Sequence, residues 1–407
     1  MSSNRFSVLE DKVGDSTSSS NSERPWPRTR FYTRPSQPKW SAVKAYLEAN
    51  VNIYRELQVF RGEGWKSEEA DTFFKNRQFA ADTANLQKQK GFYNMMIKIA
   101  AQINDATHAF SHENCQSVLD LCIAPGGFAD YALRQNFRCV VDGTSLPTAQ
   151  GGHQMLLRTQ GRSNVAITYT DITMHTVFLP TGASIPADSP DRDEFSKNRP
   201  LPKLWSYGLV ICDGNRLRGH EHGMLRKWEP LRLTLSQLIL GLTHVRPGGS
   251  MIVLLHGADH WDTVAMLYQF NKFSDIHLFK PKAAHRNRSS FYLVANNIKP
   301  ELAAPWVDHL KDCWYRATFG GEAGLGEHVD IDEDLDVEVV LKEFGEQLID
   351  MGTELWRIQK EALETWDWSG NLTWSNSGGA KEGGFVNKNR LAGGMADLAV
   401  RRNAAAV

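Results

Sequence analysis

Four apolar stretches of this chain run into residues that could bind a ligand. The first, residues 117–123, ends in Ala124-Pro125-Gly126-Gly127, and the other three are closed or followed by Asp142, Asp171 and Asp213. In an open parallel sheet, ligands bind beyond the carboxyl ends of the strands, where the strand order reverses. Paired glycines let backbone approach a ligand closely. The helix after them offers unpaired N–H groups to a carboxylate or another acceptor. Neither phosphate-cradling pattern, G-x-x-x-x-G-K-[ST] or G-x-G-x-x-G, occurs.

Acids at several strand ends would repel a pyrophosphate and suit a ligand with hydroxyls and positive charge. The acid of the second strand is placed for ribose hydroxyls, as in dinucleotide folds. S-adenosylmethionine (SAM) carries a ribose, an adenine amine, an ammonium and a sulfonium, and no phosphate. It is the cofactor that this residue set favours. The competing reading is a nucleotide-fold relic whose acids only cap helices, and a dinucleotide dehydrogenase lacks its glycine pattern here.

The elements that must position these residues follow from periodicity. Short apolar runs at 117–123, 138–141, 165–169, 207–212, 251–255, 276–279 and 291–295 read as strands, and 128–134 and 230–245 as helices. Leu231, Leu235, Leu238, Ile239 and Leu242 form the buried stripe of the second helix, with Pro230 near its start. Strands alternating with helices predict an α/β fold with a mostly parallel, Rossmann-like sheet, helices on both faces, and helical N- and C-terminal extensions. The divisions expected are a disordered tail at 1–38, a helical region at 39–110, the α/β domain at 111–300, an acidic and helical extension at 301–368, and a second disordered tail at 369–407. Residues 179–203, rich in Pro, Asp and Ser, read as an inserted surface loop. The acidic run 328–338 reads as a solvated face.

The run Val118-Leu119-Asp120-Leu121-Cys122-Ile123-Ala124-Pro125-Gly126-Gly127-Phe128 resembles the first motif of the FtsJ/RrmJ ribose methyltransferases. Two later blocks are similar to that family as well: 208–213 with its following helix and Arg246-Pro247-Gly248-Gly249-Ser250, and Lys280-Pro281 followed by 286–295. The resemblance covers residues 90–298. It implies SAM contacts at Gly126, Gly127, Phe128, Asp142, Asp171 and Asp213, with Asp120 either near the methionine moiety or ordering the loop. It also implies a Lys-Asp-Lys-Glu set that deprotonates a ribose 2′-hydroxyl. Lys98 falls near the first Lys with a small insertion, and Asp213 matches the Asp. Leu254 and Ser290 occupy the second Lys and the Glu positions.

Leucine cannot accept a proton, so another group must serve if a base is needed. His256 lies two residues beyond Leu254 and shares its strand face. A histidine there titrates near neutrality. The catalytic expectation is therefore Asp213, Lys98 and His256, with His260, His220 and His222 as loop alternatives. An acceptor that is already nucleophilic would need only positioning. The function expected is SAM-dependent methyl transfer to an RNA ribose or another acceptor. The alternatives are an inactive member that binds RNA or protein, and a small-molecule O-methyltransferase.

Composition narrows the partners. With 46 basic and 47 acidic residues there is no global basic field, so RNA contact would come from local loops carrying Arg216, Arg218, Arg286 and Arg288. Arg28, Arg30, Phe31, Tyr32, Arg34 and Lys39 also interleave charge and aromatic groups that could touch RNA, though a solubilising tail is the favoured reading of them. Five scattered cysteines, none in a CxxC pair, argue against a metal site and a disulfide framework. No apolar N-terminal segment or membrane-length run is present, which points to an intracellular protein, cytoplasmic or nuclear. Oligomeric state is not legible.

Overall fold

A computed structural model describes residues 37–68, 85–198, 200–201, 206–214, 228–282 and 284–365, with isolated positions between 69 and 84. Both tails, the basic-aromatic stretch 28–34 and the 215–227 loop with Arg216, Arg218, His220 and His222 lie outside the described residues. Seven strands form one sheet: β1 (Ser117–Leu121), β2 (Val140–Ser145), β3 (Val165–Tyr169), β4 (Tyr207–Cys212), β5 (Val245–His256), β6 (Asp275–Phe279) and β7 (Ser290–Asn296). Their order is β3-β2-β1-β4-β5-β7-β6. β1 to β5 pair in parallel, while β7 pairs antiparallel with both β5 and β6. The order reverses between β1 and β4, and the first glycine turn and Asp213 both leave the sheet there.

Helices cover both faces, as the alternating pattern predicts. On one face α3 (Leu86–Thr107) and α4 (Gly127–Gln135) share a core with Val118, Ile252, Leu254 and Tyr292. On the other lie α1 (Gln37–Asn50), α2 (Asn52–Lys66), α5 (Glu229–His244), α6 (Trp261–Asn271), α7 (Pro300–Phe319) and α8 (Val337–Glu364). Their buried residues join Leu119, Val210, Val253 and Leu293. The predicted stripe of α5 is buried throughout. Asn85 caps α3 by accepting from the Lys88 N–H, and Asp336 caps α8 through the N–H groups of Glu338 and Val339.

Several boundaries move. β2 runs on to Ser145 and does not end at Asp142. β5 starts at Val245, because Pro247-Gly248-Gly249 is taken up as a register shift between the Tyr207 and Leu209 pairings. Residues 179–203 are not a detached surface loop. Phe195 packs on Trp314 and Phe319, and Leu201 is buried in the main core. The acidic run is not wholly solvated either: Val329, Ile331 and Asp332 are buried. Burial, with Asp330 beside it, pushes the Asp332 carboxyl up to about 6. No helix among the described residues is long and apolar enough to cross a membrane.

One buried ion pair ties the site-bearing loops to this framework. Arg232, fully buried in α5, donates to Glu229 Oε2 at 2.6 Å, to Thr318 Oγ1 of α7 at 3.1 Å and to the Thr173 carbonyl at 3.1 Å. The Thr173 hydroxyl in turn lies 3.2 Å from Glu229 Oε1. Removing one partner of such a pair leaves an uncompensated buried charge. Arg232→Ala should cost about 3–5 kcal/mol of stability in urea unfolding, and a negligible loss would show that the pair is not coupled to the fold.

Candidate active site

The first turn beyond β1 is built by close packing. Gly126 has φ +103°, a conformation that side chains rarely adopt, and a Cβ there would lie 2.7 Å from Leu157 Cβ and 3.2 Å from Met155 Sδ. A Cβ on Gly127 would strike the Tyr93 carbonyl of α3. The N–H groups of Leu156 and Leu157 donate to the Pro125 carbonyl at 3.0 and 3.3 Å, so segment 153–157 is held over the turn. Beyond the ends of β2 and β3 this segment borders a cavity of about 360 Å³, lined by Pro147, Thr148, Gln154, Met155 and Tyr169.

Acids converge beside that turn. Asp120, near the end of β1, is 1% exposed, and its Oδ2 has no hydrogen-bond partner among the described residues. Burial first, then the charge of Asp213, holds its carboxyl well above the usual range, against a hydrogen bond from the Ala129 backbone. The thiol of Cys122 is raised by burial and then by Asp120, Asp171 and Asp213, which places all three acids around the same corner. Asp171 follows β3, and its Oδ1 accepts from the N–H and hydroxyl of Thr173 at 2.9 and 2.8 Å. Asp213 follows β4, and its Oδ1 accepts from the Tyr292 hydroxyl at 3.2 Å. Gly214 N–H donates to Gln237 Oε1 of α5 at 2.8 Å, fixing the backbone just after Asp213.

Three expected site residues are placed elsewhere. Asp142 pairs with Leu119 in the middle of β2, three residues before the strand ends, and its Oδ2 accepts from the Tyr207 hydroxyl at 2.7 Å. It therefore does not present its carboxylate at the ligand-binding edge. Phe128 is fully buried, between Phe110 and Tyr292 with ring centroids 6.5 and 6.0 Å away, and supports the site from below. Lys98 is exposed on α3 and lacks the burial that the sequence argument required of a lysine base.

A second group of polar side chains lies across β5 and β7. Leu254 stands opposite Tyr292, and His256 opposite Ser290, so the four share one sheet face. His256 is 8% exposed. Ser290 is fully buried, and its Oγ lies 2.8 Å from His285 Nδ1. The His285 ring meets Tyr292 edge-on at 6.2 Å. The sequence marks His285 only as one of the charged loop residues before the last strand that could face the cleft and contact phosphates, and does not single out Tyr292. Only the antiparallel register of β5 and β7 brings them to Asp213, and no single-chain pattern signals that pairing.

Residues 98–298 match the family model described as FtsJ-like methyltransferase. This part of the chain is an FtsJ-like methyltransferase domain. The chain is also 28% identical over 217 residues to a cap-specific mRNA (nucleoside-2′-O-)-methyltransferase of Autographa californica nuclear polyhedrosis virus, covering 51% of this chain and 72% of the viral one. Among solved structures, human N-acetylserotonin methyltransferase in complex with SAM is 12% identical, with 64% and 72% of the two chains covered and a TM-score of 0.30. An rRNA methylase from Streptococcus thermophilus is 10% identical, with 46% and 94% covered and a TM-score of 0.26. Superpositions at this level do not extend to the details of a site.

FtsJ-like methyltransferases take their methyl group from SAM, and the residues present fit that cofactor. A buried carboxyl oxygen without a partner, backed by a second acid, suits a cationic group. The glycine turn allows close backbone approach, and the adjoining cavity has room for a nucleoside. Asp120→Asn should weaken SAM binding about tenfold to a hundredfold, since a hydrogen bond to a charged group is lost. Asp142→Asn should leave the affinity unchanged and lower stability through its Tyr207 bond. Calorimetric titration of both variants checks this, and the reverse outcome would restore Asp142 to the site.

Proposed function

We propose that the chain transfers the methyl group of SAM to a ribose 2′-hydroxyl of RNA. The observation that carries this reading is the convergence of Asp120, Asp171 and Asp213 beside the Gly126 turn, within a domain of the FtsJ-like family. The viral relative, a cap-specific 2′-O-methyltransferase, supports RNA as the acceptor. So do Arg286 and Arg288, half-buried in the turn before β7, where they can meet phosphates at the edge of the acceptor corner.

In this reading SAM supplies the methyl group, and the chain does the rest. Asp120 and Asp213 hold positive charge at the head of β1 and β4. The backbone at Gly126 and the start of α4 lies against the cofactor's carboxylate. Asp171, fixed by Thr173 and through it by Arg232, faces the nucleoside end. Tyr292 holds Asp213, and the histidines of the β5 and β7 corner, His256 and His285, are the groups able to take up a proton. Bringing the methyl group in line with the acceptor oxygen supplies much of the rate.

Incubation with SAM labelled in its methyl group should transfer label to RNA. The label should be absent from an otherwise identical RNA in which the acceptor nucleotide is 2′-deoxy. A capped and an uncapped version of the same RNA tell whether the cap is part of the acceptor. SAM binding without transfer to any RNA would instead make this an RNA- or protein-binding member of the family, consistent with Leu254 and Ser290 at positions where a base and its acid partner were expected.

A further inference from the structure

We propose that His285 is the catalytic base, taking the proton from the acceptor hydroxyl through Nε2. This rests on the methyl-transfer reading above and deepens it. Three observations converge. The ring is held at Nδ1 by Ser290 Oγ at 2.8 Å, and edge-on against Tyr292 at 6.2 Å. Tyr292 in turn donates to Asp213 at 3.2 Å, so the imidazole belongs to the same corner as the acid beside the cofactor site. The backbone of His285 has φ +33°, a conformation uncommon for a residue with a side chain, which the surrounding contacts must enforce.

Those contacts are specific. Lys280, buried at the end of β6, donates from Nζ to the carbonyls of Arg288 and Ser290 at 2.5 and 2.9 Å. The Arg288 N–H donates to the His285 carbonyl at 3.0 Å, and the Gly257 N–H, just past β5, donates to the Ser289 carbonyl at 3.0 Å. The turn carrying His285 is thus clamped by both neighbouring strands. Rigid placement of a short-range proton acceptor is what general-base catalysis needs.

The other groups on this face serve less well. Leu254 has no lone pair to offer. His256 is enclosed within β5, whereas His285 is half-buried at the rim. In the tautomer whose Nδ1–H donates to Ser290 Oγ, the lone pair is on Nε2, and the proposal requires that tautomer. The ionisable groups on the elements that build this corner include Tyr292 of β7, Asp213 after β4, His256 of β5, His277 of β6, Lys280 and Lys282 after it, and Arg286 and Arg288 of the turn itself.

The step balances without a further reactant. The acceptor O–H bond breaks, and its proton passes to His285 Nε2 and then to water. The oxygen electron pair forms the new bond to the methyl carbon, and the pair of the broken carbon–sulfur bond stays on sulfur, giving a neutral thioether.

The test uses the full chain, with wild type, His285→Ala and His256→Ala compared in single-turnover methyl transfer to RNA across pH. Calorimetric SAM affinity and thermal unfolding are measured on the same samples. The expected result for His285→Ala is unchanged SAM affinity, an unfolding temperature lowered only by the loss of the Ser290 contact with a cooperative transition kept, transfer slowed on the order of a hundredfold, loss of the acidic limb of the pH–rate profile, and partial rescue by added imidazole. In the wild type, the His285 ring resonances should titrate with the same midpoint as that limb. An active wild type with an unaffected His285→Ala variant would overturn the proposal while leaving the methyl-transfer reading intact. The same holds if the limb is lost in His256→Ala instead. A wild type that binds SAM and transfers to no RNA would overturn both.

Discussion

The carboxyl of Asp120 sits at the head of the central strand with almost no water around it and Asp213 close by. Burial and the second acid both oppose its charge, and nothing among the described residues satisfies its Oδ2. A polar atom left in that state costs stability unless a ligand completes it. The features around it follow from holding this corner together. The Gly126 turn and segment 153–157 close one side. Gln237 of α5 fixes Gly214, and Tyr292 fixes Asp213 from the far side of the sheet reversal.

The helices outside the methyltransferase domain brace the loop after β5. α2 sends Tyr54 and Arg61 to Asp259, just beyond β5, with oxygen distances of 2.9 and 2.8 Å. Burial works to raise the Asp259 carboxyl, but Arg61 and its neighbours bring it down to about 2, so it is a carboxylate locked in an ion pair. Arg61 also donates to Gln359 of α8. The loop after β5, which carries Gly257 and Asp259, is therefore anchored by helices from both ends of the described chain. Burial, with Arg61 adding to it, pushes the ammonium of Lys280 down to about 7. The amine that clamps the His285 turn thus sits close to losing its charge near neutrality.

Where a residue's partners are local in sequence, the sequence shows its place. The α5 stripe, the β4 run of six buried residues and the Ala-Pro-Gly-Gly turn are all of this kind, and Asp213 could be located at its strand end for the same reason. Asp142 could not, because the end of β2 depends on its pairing with β1 as far as Thr144, and no acid-to-strand rule predicts that. Phe128 is expected at the ligand because the family resemblance implies it, but it is buried between Phe110 and Tyr292. His285 lay among charged loop residues, and its role emerges only from the β5–β7 register and the Ser290 contact. Residues 179–203 read as a surface loop from their Pro and Asp content, yet Phe195 and Leu201 are buried in the main core, with Leu179 and Ile185 packed against it.

The central claim is that SAM places positive charge against a carboxyl whose charged form is disfavoured by burial and by Asp213. A group whose pKa is raised in the free protein gives up its proton when a cation arrives. SAM titrations by calorimetry at mildly acidic pH, in buffers of different ionisation enthalpy, read that proton directly. The account predicts net proton release on binding. Tight SAM binding with no proton release, at any mildly acidic pH, would contradict it and place the cofactor away from Asp120.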